Sequence, residues 1–274
     1  MTSLVVRRLL IDLETPFTRH WNGGDAFRSA YFDALSMSFP VGEQFFIDSV
    51  RAGIKALPEA QRAEFDAVGQ GFIGQEATHR RIHALFNGHL DQQGYVNTWE
   101  PRILRRLERL KGLADPRHAV AITAATEHFT AILAHHLLAH PQTLEGSEPR
   151  LQTLWLWHAS EESEHRSTAF DVYRAMGGNE LWRRRWMHLV SFHFITDVLR
   201  QTARNLWHDG ELLRWRTWRS ATRFFFGKHG LVRQTFGPWR AYFKPGFHPS
   251  QQDAQEAVDW LRENAAVFSV VAER

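Results

Sequence analysis

The sequence predicts an all-α protein: a four-helix bundle with one long crossover, followed by additional amphipathic helices at the C-terminal end. Three observations carry that expectation. No segment alternates apolar and polar residues for long enough to make a strand, and several long stretches contain no helix breaker. The breakers that do occur are Pro- and Gly-rich segments that divide the chain into helix-length pieces.

Residues 1–35, with Asn22-Gly23-Gly24, read as a loose N-terminal arm leading into a short first helix. A long helix is expected from near Pro40, where Ser38 can cap and proline suits a first turn, as far as the break at Pro58. A second runs from Pro58-Glu59 to about Leu90. DQQGYVNTWEP is a loop and RILRRLERLKGL a short basic helix. Asp115-Pro116 opens a third long helix ending near His140, and HPQTLEGSEP is a turn-rich break. A fourth helix is expected from Pro149 to Met176, closed by Gly177-Gly178. The tail from Ser250 to Arg274 reads as one more amphipathic helix, with Ala257, Trp260, Leu261, Ala265 and Phe268 near one face. Residues 1–180 are thus the bundle with its arm. Residues 181–274 form a basic, Trp-rich extension packed on it, the whole being one structural domain.

The chain has 274 residues, 43% of them apolar and 23% charged, which suits a globular protein with a real core and excludes a disordered or collagen-like one. It has no cysteine. A disulfide scaffold, a zinc ribbon, an iron–sulfur site and a cysteine nucleophile are therefore excluded, and any metal must sit on His and carboxylate. The opening MTSLVVRRLLIDLETP has neither the pattern of a signal peptide nor a long apolar span, so a cytoplasmic location is expected.

Two Glu-x-x-His pairs stand out, Glu76 with His79 and Glu162 with His165. Residues three apart lie on one face of a helix, so each pair can offer an oxygen and a nitrogen to the same point. A glutamate stands 33 residues before the first pair (Glu43) and another 35 before the second (Glu127). If each module is an antiparallel hairpin, residues that meet across it are equidistant from its turn. The midpoint of Glu43 and Glu76 falls beside Pro58, and that of Glu127 and Glu162 falls inside HPQTLEGSEP. Four carboxylates and two imidazoles then converge in the core, where only divalent cations offset so much buried negative charge. His158 lies one turn before Glu162 on the same face, as a ligand or as a group behind one. His83, Glu161 and Asp171 are candidates for that second layer: His83 one turn after His79, Glu161 flanking the pair, Asp171 orienting a ligand histidine.

The order Glu, Glu-x-x-His, Glu, Glu-x-x-His resembles that of the ferritin-like di-iron carboxylate proteins. The strings FPVGEQFF, QEATHRRIH, TEHFTA and WHASEESEHRSTAFDVY look like the bacterial family labelled predicted metal-dependent hydrolases, over about residues 36–180. The resemblance implies two iron ions, with manganese as the alternative. Glu76 and Glu162 would bridge them, Glu43 and Glu127 would be terminal ligands, and His79 and His165 would bind one metal each. The arylamine N-oxygenases are similar in carrying a further histidine one turn before the last pair, which implies His158 as a seventh ligand. The radical-generating subunit of ribonucleotide reductase resembles this arrangement too, but has a tyrosine where this chain has His83. A ferritin would end soon after the fourth helix.

Between Leu181 and Lys244 there are thirteen Lys and Arg against three Asp and Glu, with six tryptophans interleaved, although the whole chain carries only +3. Trp and Phe packing on the bundle or on another copy in a homo-oligomer is the first reading. A peripheral membrane surface or an acidic lipid-like substrate is the second, and nucleic acid, for which no motif is present, the last. The functional expectation is a non-haem di-iron oxygenase that uses dioxygen and an electron donor to hydroxylate or N-oxygenate a small, hydrophobic organic substrate. The alternatives are a metal-dependent hydrolase using a metal-bound hydroxide and a metal-binding protein with a vestigial site.

Overall fold

The computed structural model describes residues 4–271, and they form an all-α helical bundle. Helices α1 (Ala26–Lys55) and α2 (Glu59–Gln92) make one antiparallel hairpin about the Pro58 turn. Helix α4 (Arg117–Ala139) and the broken pair α5 (Pro149–His165) and α6 (Thr168–Ala175) make the other, about a turn at 140–148. Both turns fall where the glutamate spacing places them. The crossover between hairpins carries α3 (Trp99–Leu110).

Helix α1 starts earlier than expected. Asp25 caps it, Oδ1 accepting from the Arg28 N–H at 3.0 Å, and the helix runs straight through Pro40. A proline inside a helix strips a partner from the carbonyl four residues back, here Ser36. Asn87 on α2 supplies the replacement, its Nδ2 donating to Ser36 O at 2.9 Å, and Asn97 Nδ2 donates to Met37 O at 2.8 Å. The proline is tolerated because neighbouring side chains satisfy the carbonyls it leaves open.

The fourth helix, expected to be continuous to Met176, breaks at Arg166–Ser167, just after His165. Ser160 and Ser163 bond back to the carbonyls of Leu156 and Ala159, which bends a helix, and the Arg166 guanidinium takes the Ser163 carbonyl.

The remaining helices wrap the bundle. Helix α7 (Glu180–His208) lies against α1 and α4, α8 (Trp215–Phe226) on α1, and α9 (Leu231–Ala241) on α4. The tail departs from the single helix expected. Helix α10 (Gln255–Glu263) is short, and the chain then turns into a strand, β2 (Phe268–Val270), antiparallel to β1 (Arg7–Leu9). Ala257 and Leu261 are buried as expected, but Phe268 belongs to the strand. The N-terminal arm is therefore pinned by the C-terminal end. No helix among the described residues is long and apolar enough to cross a membrane.

Candidate metal centre

Each of the four bundle helices contributes donors to one buried cluster: Glu43 from α1, Glu76, His79 and His83 from α2, Glu127 from α4, and His158, Glu162 and His165 from α5, every one of them at most 4% exposed. Two donor sets form. Glu76, His79, Glu162 and His165 each offer one atom within 4.8 Å of the others, and Glu43, His83 and His158 do the same.

The second-layer groups fix which nitrogen each imidazole presents. His79 Nε2 sits 2.9 Å from Glu161 Oε2, so it donates there and leaves Nδ1 facing Glu162 Oε1 at 3.7 Å. Glu161 is itself held by Arg7, whose Nη1 donates to Oε1 at 3.0 Å. His165 donates through Nδ1 to Glu127 Oε2 at 2.8 Å, turning Nε2 toward Glu76 Oε1 at 3.4 Å.

A longer relay sets His158. Asn87 must present Oδ1 to the Ser36 hydroxyl because its Nδ2 is spent on the Ser36 carbonyl, so Ser36 Oγ donates to it, at 2.7 Å. Ser36 Oγ then accepts from His83 Nδ1 at 2.9 Å, and His83 Nε2 accepts from His158 Nδ1 at 2.6 Å. The His158 Nε2 lone pair is left aimed at Glu162 Oε1, 2.9 Å away, with Glu43 Oε1 at 3.9 Å. Two acceptors at that separation require a proton or a metal ion between them.

The charges tell the same story. Burial, then the neighbouring carboxylates, pushes the Glu43 and Glu76 carboxyls well above the usual range. Burial raises Glu127 to about 7, against the pull of His165. Burial alone would lower His165, but the Glu127 and Glu162 carboxylates overcome it and hold it at about 9. Burial drives His79 and His83 well down. Burial would raise Glu162 as well, but His165 and then His158 outweigh it and hold that carboxyl below its usual range.

Several atoms at its centre have no hydrogen-bond partner: both oxygens of Glu43 and of Glu76, Glu127 Oε1, Glu162 Oε2, His79 Nδ1 and His165 Nε2. Orphaned buried polar atoms are costly, and here each of the six Glu and His of the two modules contributes at least one, all converging. The donor set is hard oxygen with imidazole nitrogen, which fits divalent first-row transition metals.

Of the second-layer candidates, His83 and Glu161 hold ligand-candidate histidines, whereas Asp171 does not. Its Oδ1 is 2.7 Å from His248 Nε2, and at nine residues after Glu162 it stands half a turn off the face that carries the ligand candidates. Sequence reasoning missed Arg7, Ser36 and Asn87. Ser36 and Asn87 lie two helical turns before Glu43 and one after His83, a signal of spacing; Arg7, in an unremarkable arm, carried none.

Comparison with known families bears on this cluster directly. The family described as predicted metal-dependent hydrolase matches residues 5–253, nearly the whole chain. The chain belongs to that family. No curated protein and no solved structure matches it. The match covers both Glu-x-x-His modules, the arm with Arg7 and the basic wrapping helices. The family description supports a metal-dependent enzyme and names hydrolysis rather than oxygenation as the reaction.

A cavity of about 410 Å³ abuts the cluster at Glu43. Its wall is largely aromatic and aliphatic, from Phe39, Phe45 and Phe46 on α1 to Trp99, Ile103 and Leu107 on α3 and Phe194 on α7. The hydroxyls of Ser38, Thr126 and Thr130 and a few charged groups from α3 and α7 are its polar features.

Proposed function

We propose that this family member is a ferritin-like dinuclear metalloenzyme that oxygenates a small, largely apolar organic substrate. Glu43, Glu76, His79, Glu127, His158, Glu162 and His165 would hold two iron ions, or manganese in their place. The observation that carries the reading is the convergence of unpartnered carboxylate and imidazole atoms at the inner wall of an apolar cavity. A carboxylate-rich pair of redox metals supplies dioxygen activation when bound, since anionic oxygen donors stabilise the higher oxidation state.

The chain's own residues do the rest. Glu161, anchored by Arg7, keeps the His79 Nδ1 lone pair inward, and the Ser36–His83 relay does the same for His158 Nε2. Phe39 packs edge-on to both His83 and His158, with centroids 4.6 and 4.9 Å apart, and closes the cavity floor over them. The aromatic wall seats the substrate by apolar contact and keeps bulk water from the reacting centre.

Hydrolysis is the second reading, and the family description favours it. It needs polar groups to hold an oxyanion, and the hydroxyls in the wall beside Glu43, those of Ser38, Thr126 and Thr130, each already donate to a carbonyl of their own helix. Elemental analysis of protein loaded anaerobically with iron is expected to return about two ions per chain, and oxygen exposure should then produce a transient visible absorption. Turnover that proceeds equally without oxygen would support hydrolysis instead. His158→Ala should keep both metals while shortening the life of the absorbing species. Loss of a metal in that variant would make His158 an indispensable ligand.

A further inference from the structure

Next to the apolar cavity the protein has a second, chemically opposite one. A basin of about 610 Å³ opens between α8, the start of α1 and the 140–148 turn. Arg28, Arg216, Arg219, Arg223 and Lys228 line it. Two of these arginines are already offset: Arg28 has Asp25, with Nε 3.6 Å from Oδ2, and Arg216 has Glu211 at 2.5 Å. Asp25 Oδ2 also accepts from Ser220 Oγ at 2.6 Å. Among the described residues no carboxylate pairs with Arg219, Arg223 or Lys228. The basin thus holds a net, uncompensated positive charge.

Its inner wall borders another cavity. A narrow cavity of about 60 Å³ shares His136, Thr143 and Phe224 with the basin and reaches His158 and Glu162 at the metal centre. Its wall is almost wholly apolar, including Tyr31, Phe32, Leu35 and Trp155. On its far side it shares Phe39, Thr130 and Phe194 with the 410 Å³ cavity. Basin, neck and apolar cavity thus border one another through shared side chains, with His158 and Glu162 in the wall of the neck and Glu43 in that of the apolar cavity. Burial, then the neighbouring His140, pushes His136 down to about 4, so at neutral pH the neck begins at an uncharged ring.

We propose that the substrate is a single-chain anionic amphiphile, with its carboxylate or phosphate head on Arg219, Arg223 and Lys228 and its hydrocarbon chain threaded through the neck past His158 and Glu162. This rests on the reading of the cluster as an oxidising metal centre and adds the substrate class to it. The geometry has a chemical consequence. The head is held away from the metals, so the group presented to them is a carbon within the chain. The basin recognises charge and the neck recognises a slender apolar chain, so neither a short anion nor a neutral lipid satisfies both.

Binding tests this without any turnover. Dodecanoate titrated into the full-length protein, followed by calorimetry, is compared with methyl dodecanoate and with acetate. Dodecanoate is expected to bind at least about tenfold more tightly than either, since a charge-assisted pair and the buried chain each contribute about that factor or more. Arg219→Ala with Arg223→Ala should remove about tenfold for dodecanoate and leave methyl dodecanoate unchanged. Ala134→Trp, placed in the neck, should weaken dodecanoate but not acetate, with circular dichroism confirming the fold; Ala134→Leu is the milder substitute should the tryptophan variant misfold. Equal affinity for ester and carboxylate, or an arginine double variant that binds as wild type does, would overturn the proposal. So would acetate or phosphate binding as well as dodecanoate, which would make the basin a simple anion site. Because the titrations need no metal, their failure leaves the metal reading standing. Failure of metal loading leaves the binding result equally intact.

Discussion

Histidines buried in this protein divide by what faces them. His158 has a relay behind it and two carboxylates before it, so its Nε2 is turned toward their oxygens. His136, 5% exposed, has no carboxylate hydrogen-bonded to it and three other imidazoles close by, at positions 135, 140 and 229. Burial first, then those rings, lowers it from 6.5 to about 4. The sign of the consequence follows. Between those two values the unfolded chain binds a proton that the folded one refuses, so stability is fully present above about pH 6.5 and is lost as pH falls toward 4. A shift of that size corresponds to roughly 3 kcal/mol at the low end. Denaturant melts across this window should therefore show His136→Gln gaining on the wild type as pH drops. Parallel curves would mean that His136 charges without cost in the folded protein.

At the scale of elements, the bundle was legible because its demands are local. A helix three or four turns long announces its ends by Pro, Gly and Asx residues, and a Glu-x-x-His pair must share a face whatever the tertiary structure. The midpoint rule then located both turns. What was not legible depended on side chains from elsewhere: α1 ignores Pro40 because Asn87 and Asn97 reach across to its freed carbonyls, and α5 ends at His165 because Arg166 takes a helical carbonyl. Asp171 comes nine residues after Glu162, half a turn off its face even on a continuous helix, and it pairs with His248 instead. Close packing supplies a prediction of the same kind. Gly53 lies where α1 meets α4 and α6, and a Cβ there would stand 2.8 Å from Val120 Cγ2 and 2.9 Å from Val172 Cγ1. Both valines are fully buried and β-branched, so neither can yield. Gly53→Ala, normally favourable in a helix, should instead destabilise by about 1–2 kcal/mol in a denaturant titration, overpacking outweighing propensity. A stabilised variant would show that the helices separate easily at this point.

The whole molecule ties its two chain ends to its centre. β1 and β2 pair Arg7 with Val270 and Leu9 with Phe268, which places the Arg7 guanidinium against Glu161 and, at 2.7 Å, Glu164. Burial raises the Glu161 carboxyl and Arg7 opposes that rise, so the arginine favours the carboxylate form that accepts the His79 N–H. A protonated Glu161 no longer draws the His79 N–H as strongly, and His79 loses the group that keeps its other nitrogen inward. A residue in the arm thus reaches the candidate metal centre through two hydrogen bonds, and a strand near the opposite terminus pairs with the strand that carries it. Arg7→Ala should lower metal affinity by about 10- to 100-fold, the range for removing a group that orients a ligand, and Arg7→Lys should recover part of it. Removing the chain from Phe268 onward deletes no candidate ligand, yet it should produce a loss in the same direction, read by competition with a chromogenic chelator. If the truncated chain binds metal as the full chain does while Arg7→Ala does not, the arm keeps its place without the strand. If neither changes affinity, His79 is oriented by packing against Trp157, whose ring centroid lies 5.0 Å away, and the link from the chain ends to the metals is absent.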